Sequence, residues 1–263
     1  MCPRFSMLLL LLLAGCGQGK VERIEWTVMG TVAAVQWKGE LKNSPEIIAE
    51  TKGVFADVER FLNAHDPDSE LSRLAKLSDT EVLTTCDPSV RPCYEAAFRL
   101  RDETGSVFNP RWKGPGTMDL GAIAKGFAVD RAAERIAARC GETEVLIDLG
   151  GNLKAVSGTW TTGIIDPGEA SEDGKGETGN VTEFALKSGG ACATSAEYFR
   201  GKHIRDGRDG SEAAGGVVSV TVIHPDSAMM ADGLSTVMFL FGKEKGERFL
   251  KEKHPATQAI WIK

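Results

Sequence analysis

Asp119-Leu-Gly-Ala-Ile-Ala-Lys-Gly-Phe-Ala-Val-Asp130 is the stretch on which the reading of this 263-residue chain turns. At 100° per residue, Val129, Ala132, Ala133 and Ile136 form one apolar stripe, while Asp130, Arg131, Glu134 and Arg135 lie off it. The pattern predicts an amphipathic helix led in by Asp119 and ended before Gly141. Lys125 falls on the stripe side within the first turns, where a helix start already carries partial positive charge. Two readings stand. A bound anion would satisfy both charges, or the lysine stem packs while its ammonium reaches water. Beyond the helix, Val145 to Leu149 predicts a strand, and Gly150-Gly151-Asn152 turns it into another near Leu153 to Val156.

Two further segments carry chemistry-bearing residues. In Ala231-Asp232-Gly233-Leu234-Ser235-Thr236, Asp232 and Thr236 are four apart and share a helix face. A carboxylate and a hydroxyl are hard oxygen ligands of the kind magnesium takes alongside water and phosphate. The same pair also reads as a helix cap above a threonine bonded to its own backbone. In Ala193-Thr194-Ser195, followed by His203-Ile204-Arg205-Asp206, a histidine beside flexible glycines has the chemistry of a general base, although a lone histidine is more often simply exposed or satisfied in the core.

The remaining chain alternates helical and extended patterns. Ile24 to Trp37 predicts a strand broken at Gly30. Ser44-Pro45-Glu46 opens a helix to about Asn63. Asp66-Pro67-Asp68 turns into a short helix capped by Ser69. Pro88 to Thr104 predicts a second long helix, Val181 to Leu186 and Val217 to Ile223 strands, Asp232 to Phe241 a helix and Ala259 to Ile262 a last strand. Residues 168–179, rich in Gly, Glu and Ser, read as an exposed loop. The class is mixed α and β (α/β, α+β).

The start of the chain reads as a signal. Arg4 is followed by Met7 to Leu13, all Met and Leu, then Ala14-Gly15-Cys16. That apolar run is too short for a permanent span. Leu13-Ala14-Gly15-Cys16 resembles the bacterial lipobox, whose Cys becomes the lipidated first residue. The expected organisation is therefore a signal over 1–15, a lipid-anchored tether over 16–23 and one domain over 24–263. It places the protein in the bacterial cell envelope, anchored to a membrane and facing outside the cytoplasm. The net charge of −6 offers no basic footprint for nucleic acid. Export permits disulfides; of Cys86, Cys93, Cys140 and Cys192, the pair flanking Asp87-Pro88 is the one expected to join, with free buried thiols as the alternative.

Taken in order, the segments resemble the FAD:protein FMN transferase family, the ApbE-type flavin transferases. The matching elements are Val28-Met29-Gly30-Thr31, Asp66 to Leu74, Thr104 to Pro110, Asp119 to Asp130, Leu149 to Asn152, Ala193 to Ser195, the His203 segment and Ser219 to Thr236. The resemblance implies a two-lobed fold with FAD in the cleft between lobes and magnesium against its diphosphate. It implies that the backbone oxygen of Ala122 and the side chains of Asp232 and Thr236 hold the ion, with Ser235 at a further ligand position. Met29, His65, Val107, Phe108, Asn109, Asp119, Lys125 and Ile204 would contact FAD, and His203 aligns with the catalytic histidine. The implied reaction moves FMN from FAD onto a threonine of an exported acceptor flavoprotein, a subunit of a redox complex, with release of AMP. Hydrolysis of FAD to FMN and AMP, and flavin binding without turnover, are the alternatives.

Four departures from the family pattern stand out. The stretch from Pro110 to Met118 is short. His65 stands where Tyr or Asn is usual and Asn109 where Asp is common. The histidine loop lacks the usual Pro and Thr, which predicts a looser loop.

Overall fold

The computed structural model describes residues 20–165, 180–196, 204–213 and 217–262. Cys16, His203 and the expected loop at 168–179 lie outside them. The first elements are β1 (Val21–Val28) and β2 (Thr31–Lys38), an antiparallel hairpin rather than one broken strand. The break at Gly30 is a two-residue turn in which Met29 (φ 50) and Gly30 (φ 66) are both left-handed. Such a turn matches the twist of the strands it joins. Val21 to Arg23, expected in the tether, already pair within the sheet.

Helix α1 (Ser44–Leu62) starts at Ser-Pro-Glu as read, and α2 (Glu70–Leu74) is capped by Ser69, whose hydroxyl accepts from Ser72 N. Helix α3 (Asp79–Thr85) was not anticipated, although Ser78 and Glu81 form a capping box at its start. Helix α4 (Arg91–Glu103) begins later than Pro88 because the Asp87 carboxylate and carbonyl first hold a turn, accepting from Ser89 and Val90 N. Helix α5 (Ala124–Cys140) likewise follows a turn over 119–123.

Strands β3 (Glu144–Leu149), β4 (Asn152–Ser157), β5 (Thr159–Ile165), β6 (Asn180–Lys187), β7 (Ala191–Ala196) and β8 (Ser219–His224) follow, then α6 (Ala228–Lys253) and β9 (Gln258–Ile262). Helix α6 runs past the expected Phe241, with non-helical backbone at Gly242. Among the described residues one antiparallel sheet has the order β1-β2-β3-β4-β7-β8-β9, and β5 and β6 pair separately. The period of two divides β3 between two cores. Val145, Ile147 and Leu149 join the main core with the helices, while Leu146 joins a smaller one with Leu153, Trp160, Leu186 and Cys192. The sheet therefore lies between a helical layer and the β5–β6 hairpin.

Cys86, Cys93, Cys140 and Cys192 are free and buried, so the expected Cys86–Cys93 bond is absent. Each sits in the core, where burial pushes its thiol up and keeps it protonated.

At the end of β8, His224 Nδ1 accepts from Ser227 N (3.1 Å), just before α6 begins. Burial holds the His224 imidazole below its ordinary value, ahead of the raising effect of exposed Asp226 beside it. The neutral ring is the form that can accept that bond. Its folded pKa lies below the unfolded one, so its contribution is present above about pH 6.5 and is lost as pH falls through the folded value. Acid below pH 6.5 is expected to lower the melting temperature less in a His224→Asn variant than in the unaltered chain; parallel melting curves against pH would remove the histidine as the cause.

Candidate functional site

The site begins with two helix starts that satisfy one another. Ile123, the N-cap of α5, offers no side-chain cap. Instead Asp232, far along the chain on α6, accepts through Oδ2 from Gly126 N at 3.0 Å and lies 3.5 Å from Lys125 Nζ. Lys125 Nζ also donates to Gly121 O at 3.1 Å. In the other direction, Asp130 on α5 accepts from Ser227 Oγ (2.8 Å), Ala228 N (2.9 Å) and Met229 N (2.9 Å) at the start of α6, and pairs with Lys154 at 2.7 Å. Each helix thus supplies the anion that the other's unpaired N–H groups require.

This crossing depends on Gly126. A Cβ there would lie 2.2 Å from Ala228 O and 2.8 Å from Asp232 Cβ. The Lys-Gly pair in the opening stretch therefore has one residue that carries charge and one that lets the second helix approach. The Lys125 conflict is resolved by the protein's own carboxylate.

A cavity of about 570 Å³ opens at this crossing, within the usual size of ligand pockets. On its helical side lie Asp119, Gly121 and Ala122 from the segment before α5 and Lys125 from its first turn, with Asp232 and Thr236 from α6. Val107, Phe108 and Asn109 form a second wall with Ile204, and exposed His65 reaches the rim from the turn after α1. The cavity continues past Gly150 to Leu153 to the β5–β6 hairpin. Asp119 holds its own turn, accepting from Gly121 N at 2.9 Å and pairing with Lys113 at 3.0 Å.

Two expected residues lie elsewhere. Met29 sits at the tip of the β1–β2 turn, packed against the main core and outside the lining. Ser235 is buried behind the wall; its hydroxyl donates to Asp232 O (2.8 Å) and contacts Ser195 Oγ (2.8 Å). Ser195 in turn lies 3.4 Å from Thr236 Oγ1, and Thr194 meets Thr221 at 2.7 Å. Spacing alone does not show that these hydroxyls form a row behind Asp232.

The segment after His203 is knitted to the Val107–Asn109 wall. Gly207 N donates to Val107 O (2.8 Å), and Asn109 Nδ2 donates to Gly207 O (3.0 Å). Asp206 accepts from Arg208 N and Nε and pairs with its guanidinium, which holds the Asp206 carboxyl below the usual range. These contacts tie down residues 206–208, while His203, the residue for which a looser loop is expected, lies outside the described residues. Sequence reasoning also missed Trp112, which the short 110–118 stretch delivers to the cavity.

The donors fit magnesium in kind. Ala122, Asp232 and Thr236 line one cavity and offer a carbonyl, a carboxylate and a hydroxyl. Gly126 N and Lys125 Nζ both meet the Asp232 side chain at Oδ2. Among the described residues no group of three His, Cys, Asp or Glu side chains is placed to hold a metal. One carboxylate with neutral oxygens suits an ion that keeps waters and takes phosphate oxygens.

Residues 112–261, which supply α5, the central strands and α6, match the ApbE family model. The chain belongs to the ApbE family. Its similarity to curated members includes 36% identity over 172 residues with an FAD:protein FMN transferase of Klebsiella pneumoniae (strain 342), covering 62% of this chain and 50% of that protein. A second FAD:protein FMN transferase, from Treponema pallidum (strain Nichols), is 32% identical over 164 residues, covering 55% and 43%. The chain thus spans about half the length of the curated relatives it matches. Among solved structures, the flavin transferase ApbE from Vibrio cholerae superposes with a TM-score of 0.74 at 22% identity, covering 92% of this chain and 94% of that one. The ApbE protein of Thermotoga maritima gives 0.73 at 20% identity, covering 92% and 94%. The mixed α/β architecture is therefore that of the ApbE family.

Proposed function

We propose that this chain transfers the FMN half of FAD to a threonine hydroxyl of an exported acceptor flavoprotein, releasing AMP. The observation that carries the reading is the meeting of Lys125, Asp232 and Thr236, distant in sequence, in one cavity of an ApbE-family chain. Curated relatives named FAD:protein FMN transferase supply the reaction class.

Lys125, at the start of α5, would bind the diphosphate and hold it in line with the incoming hydroxyl. Ala122, Asp232 and Thr236 would hold magnesium, which when bound neutralises charge on the diphosphate oxygens. Val107 to Asn109 and Ile204 would position the nucleotide, with Asp119 fixing the turn beneath it. His203 adjoins Ile204 in sequence and would take the proton of the acceptor hydroxyl. The new bond joins that oxygen to the FMN phosphorus. The bond from this phosphorus to the AMP oxygen breaks, and AMP leaves.

The test supplies FAD, magnesium and a fraction of exported proteins. Flavin fluorescence on a protein band after denaturing electrophoresis, together with AMP, is the expected result. Free FMN and AMP without labelled protein would replace transfer by hydrolysis, a reading that exposed His65 at the cavity rim keeps in view. His203→Ala is expected to slow transfer by about 10²–10⁴-fold; a loss of less than severalfold would remove it as the base.

We also place the protein at a membrane through lipid on Cys16. Among the described residues no helix is long and apolar enough to cross a membrane. Cys16→Ser is expected to move the protein from the membrane to the soluble fraction, and unchanged sedimentation with membranes would overturn the anchor.

A further inference from the structure

A threonine on a helix can turn its hydroxyl back onto a carbonyl of the preceding turn. Thr51, Thr84 and Thr104 do so, donating to Ile47 O (2.9 Å), Thr80 O (3.1 Å) and Leu100 O (2.7 Å). For Thr236 the carbonyl in that place belongs to Asp232, and Ser235 Oγ donates to it at 2.8 Å. Thr236 Oγ1 lies instead 3.4 Å from Ser195 Oγ on β7, which in turn lies 2.8 Å from Ser235 Oγ. A hydroxyl has one proton and two lone pairs, so the direction of this row can be counted. The Asp232 carbonyl can only accept, so the Ser235 proton goes to it. Ser235 therefore accepts from Ser195. With its own proton on Ser235, Ser195 can only accept from Thr236. The last contact is long for two hydroxyls, but its direction does not depend on its length. Every proton in the row points away from Thr236, toward the backbone of α6.

We propose that Ser195 is a positioning residue for the ion site: by taking the Thr236 proton it leaves the Thr236 oxygen to offer lone pairs alone, the form in which a hydroxyl binds a cation. The inference rests on the proposed function, which gives magnesium to Ala122, Asp232 and Thr236. A hydroxyl that rotates freely turns its proton toward the ion part of the time and repels it. One whose proton is already engaged does not. The row also changes the part played by Ser235. The family resemblance gives it a ligand position, whereas its buried hydroxyl is held between Asp232 O and Ser195 and sets the direction of the row from behind. Ser195 itself lines the cavity, so contact with the nucleotide is the rival role that a test has to separate.

The test titrates magnesium calorimetrically into the full chain with FAD present, in the unaltered protein and in Ser195→Ala, Ser195→Thr and Ser235→Ala. AMP release against magnesium concentration is measured alongside. Ser195→Ala removes the acceptor of the Thr236 proton and is expected to weaken magnesium binding about 10–100-fold, as the loss of a group that orients a ligand does. Ser195→Thr keeps the hydroxyl on a strand that suits a branched residue, and restores binding to within about threefold. Ser235→Ala frees Asp232 O, onto which Thr236 then folds back as Thr51 does, and weakens magnesium by a similar factor. In Ser195→Ala the loss falls on the KM for magnesium, with kcat at saturating magnesium within about threefold and FAD binding without magnesium within about twofold. Unchanged magnesium binding in Ser195→Ala, a loss that falls on kcat, or no rescue by threonine would overturn the role. So would a loss confined to one of the two alanine variants, which for Ser235→Ala would make that residue a direct ligand. FAD binding weakened as much without magnesium would make Ser195 a nucleotide contact and also overturn it. An unaltered chain that binds FAD but no magnesium would instead bring down the ion site of the proposed function, and this role of Ser195 with it.

Discussion

Asp232→Asn is expected, on the proposed function, to reduce magnesium-dependent turnover by on the order of 10²–10³ while leaving a folded protein. The amide keeps an oxygen able to accept from Gly126 N, so the start of α5 stays capped. The substitution removes the carboxylate that pairs with Lys125 and, with it, the carboxylate among the proposed ion ligands. Lys125 keeps its bond to Gly121 O. Because it is only partly buried, the stability lost is about 1–2 kcal/mol rather than the larger cost of stranding a fully buried charge. Turnover measured against magnesium concentration, with melting temperature alongside, separates the two effects. Activity within severalfold of the unaltered enzyme at the same magnesium would take Asp232 out of the site.

Gly126→Ala should produce the largest change in stability. Its added methyl group would meet a backbone oxygen at 2.2 Å and a backbone carbon at 2.6 Å, neither of which can rotate away. Helix α6 has to retreat from α5, which costs about 3 kcal/mol for an overpacked contact. In a domain of this size that lowers the melting temperature by roughly 6–12 °C. The same retreat draws Asp232 away from Gly126 N and Lys125, and a displacement of about 1 Å at a reacting centre can cost on the order of 10²-fold in rate. Thermal melting and turnover of the purified variant check both parts. A protein that melts unchanged would show that the crossing has slack the distances deny.

Local pattern explains which parts of this fold were legible from sequence. Helices α1 and α2 announce themselves through Ser-Pro-Glu and Ser69, and β3 and β8 through apolar runs between turn residues. Strand β7, Ala-Cys-Ala-Thr-Ser-Ala, escaped because small residues carry little β preference; it is a strand because β4 and β8 pair with it on both sides. The β1–β2 turn was hidden because Met29 is not a residue expected at positive φ. At the site, spacing placed Asp232 and Thr236 on one face. It could not show that the partner of Asp232 is the start of another helix, or that the Ser235 hydroxyl turns back to Asp232 O. Those facts depend on contacts across the chain. The unpaired atoms of Asn152 and Thr162 are of the same kind, since only the packed hairpin reveals that no described residue pairs with them.

The exchange of carboxylates between Asp130 and Asp232 has a further consequence for how this molecule breathes. Neither helix beginning can fray by itself, because fraying would strand an acid owned by its neighbour. The two ends therefore open in one shared event or stay shut together, which makes them a single cooperative unit for hydrogen exchange. On the proposed function, an arriving nucleotide would meet a clasp that is already fastened and need not spend its affinity on closing it.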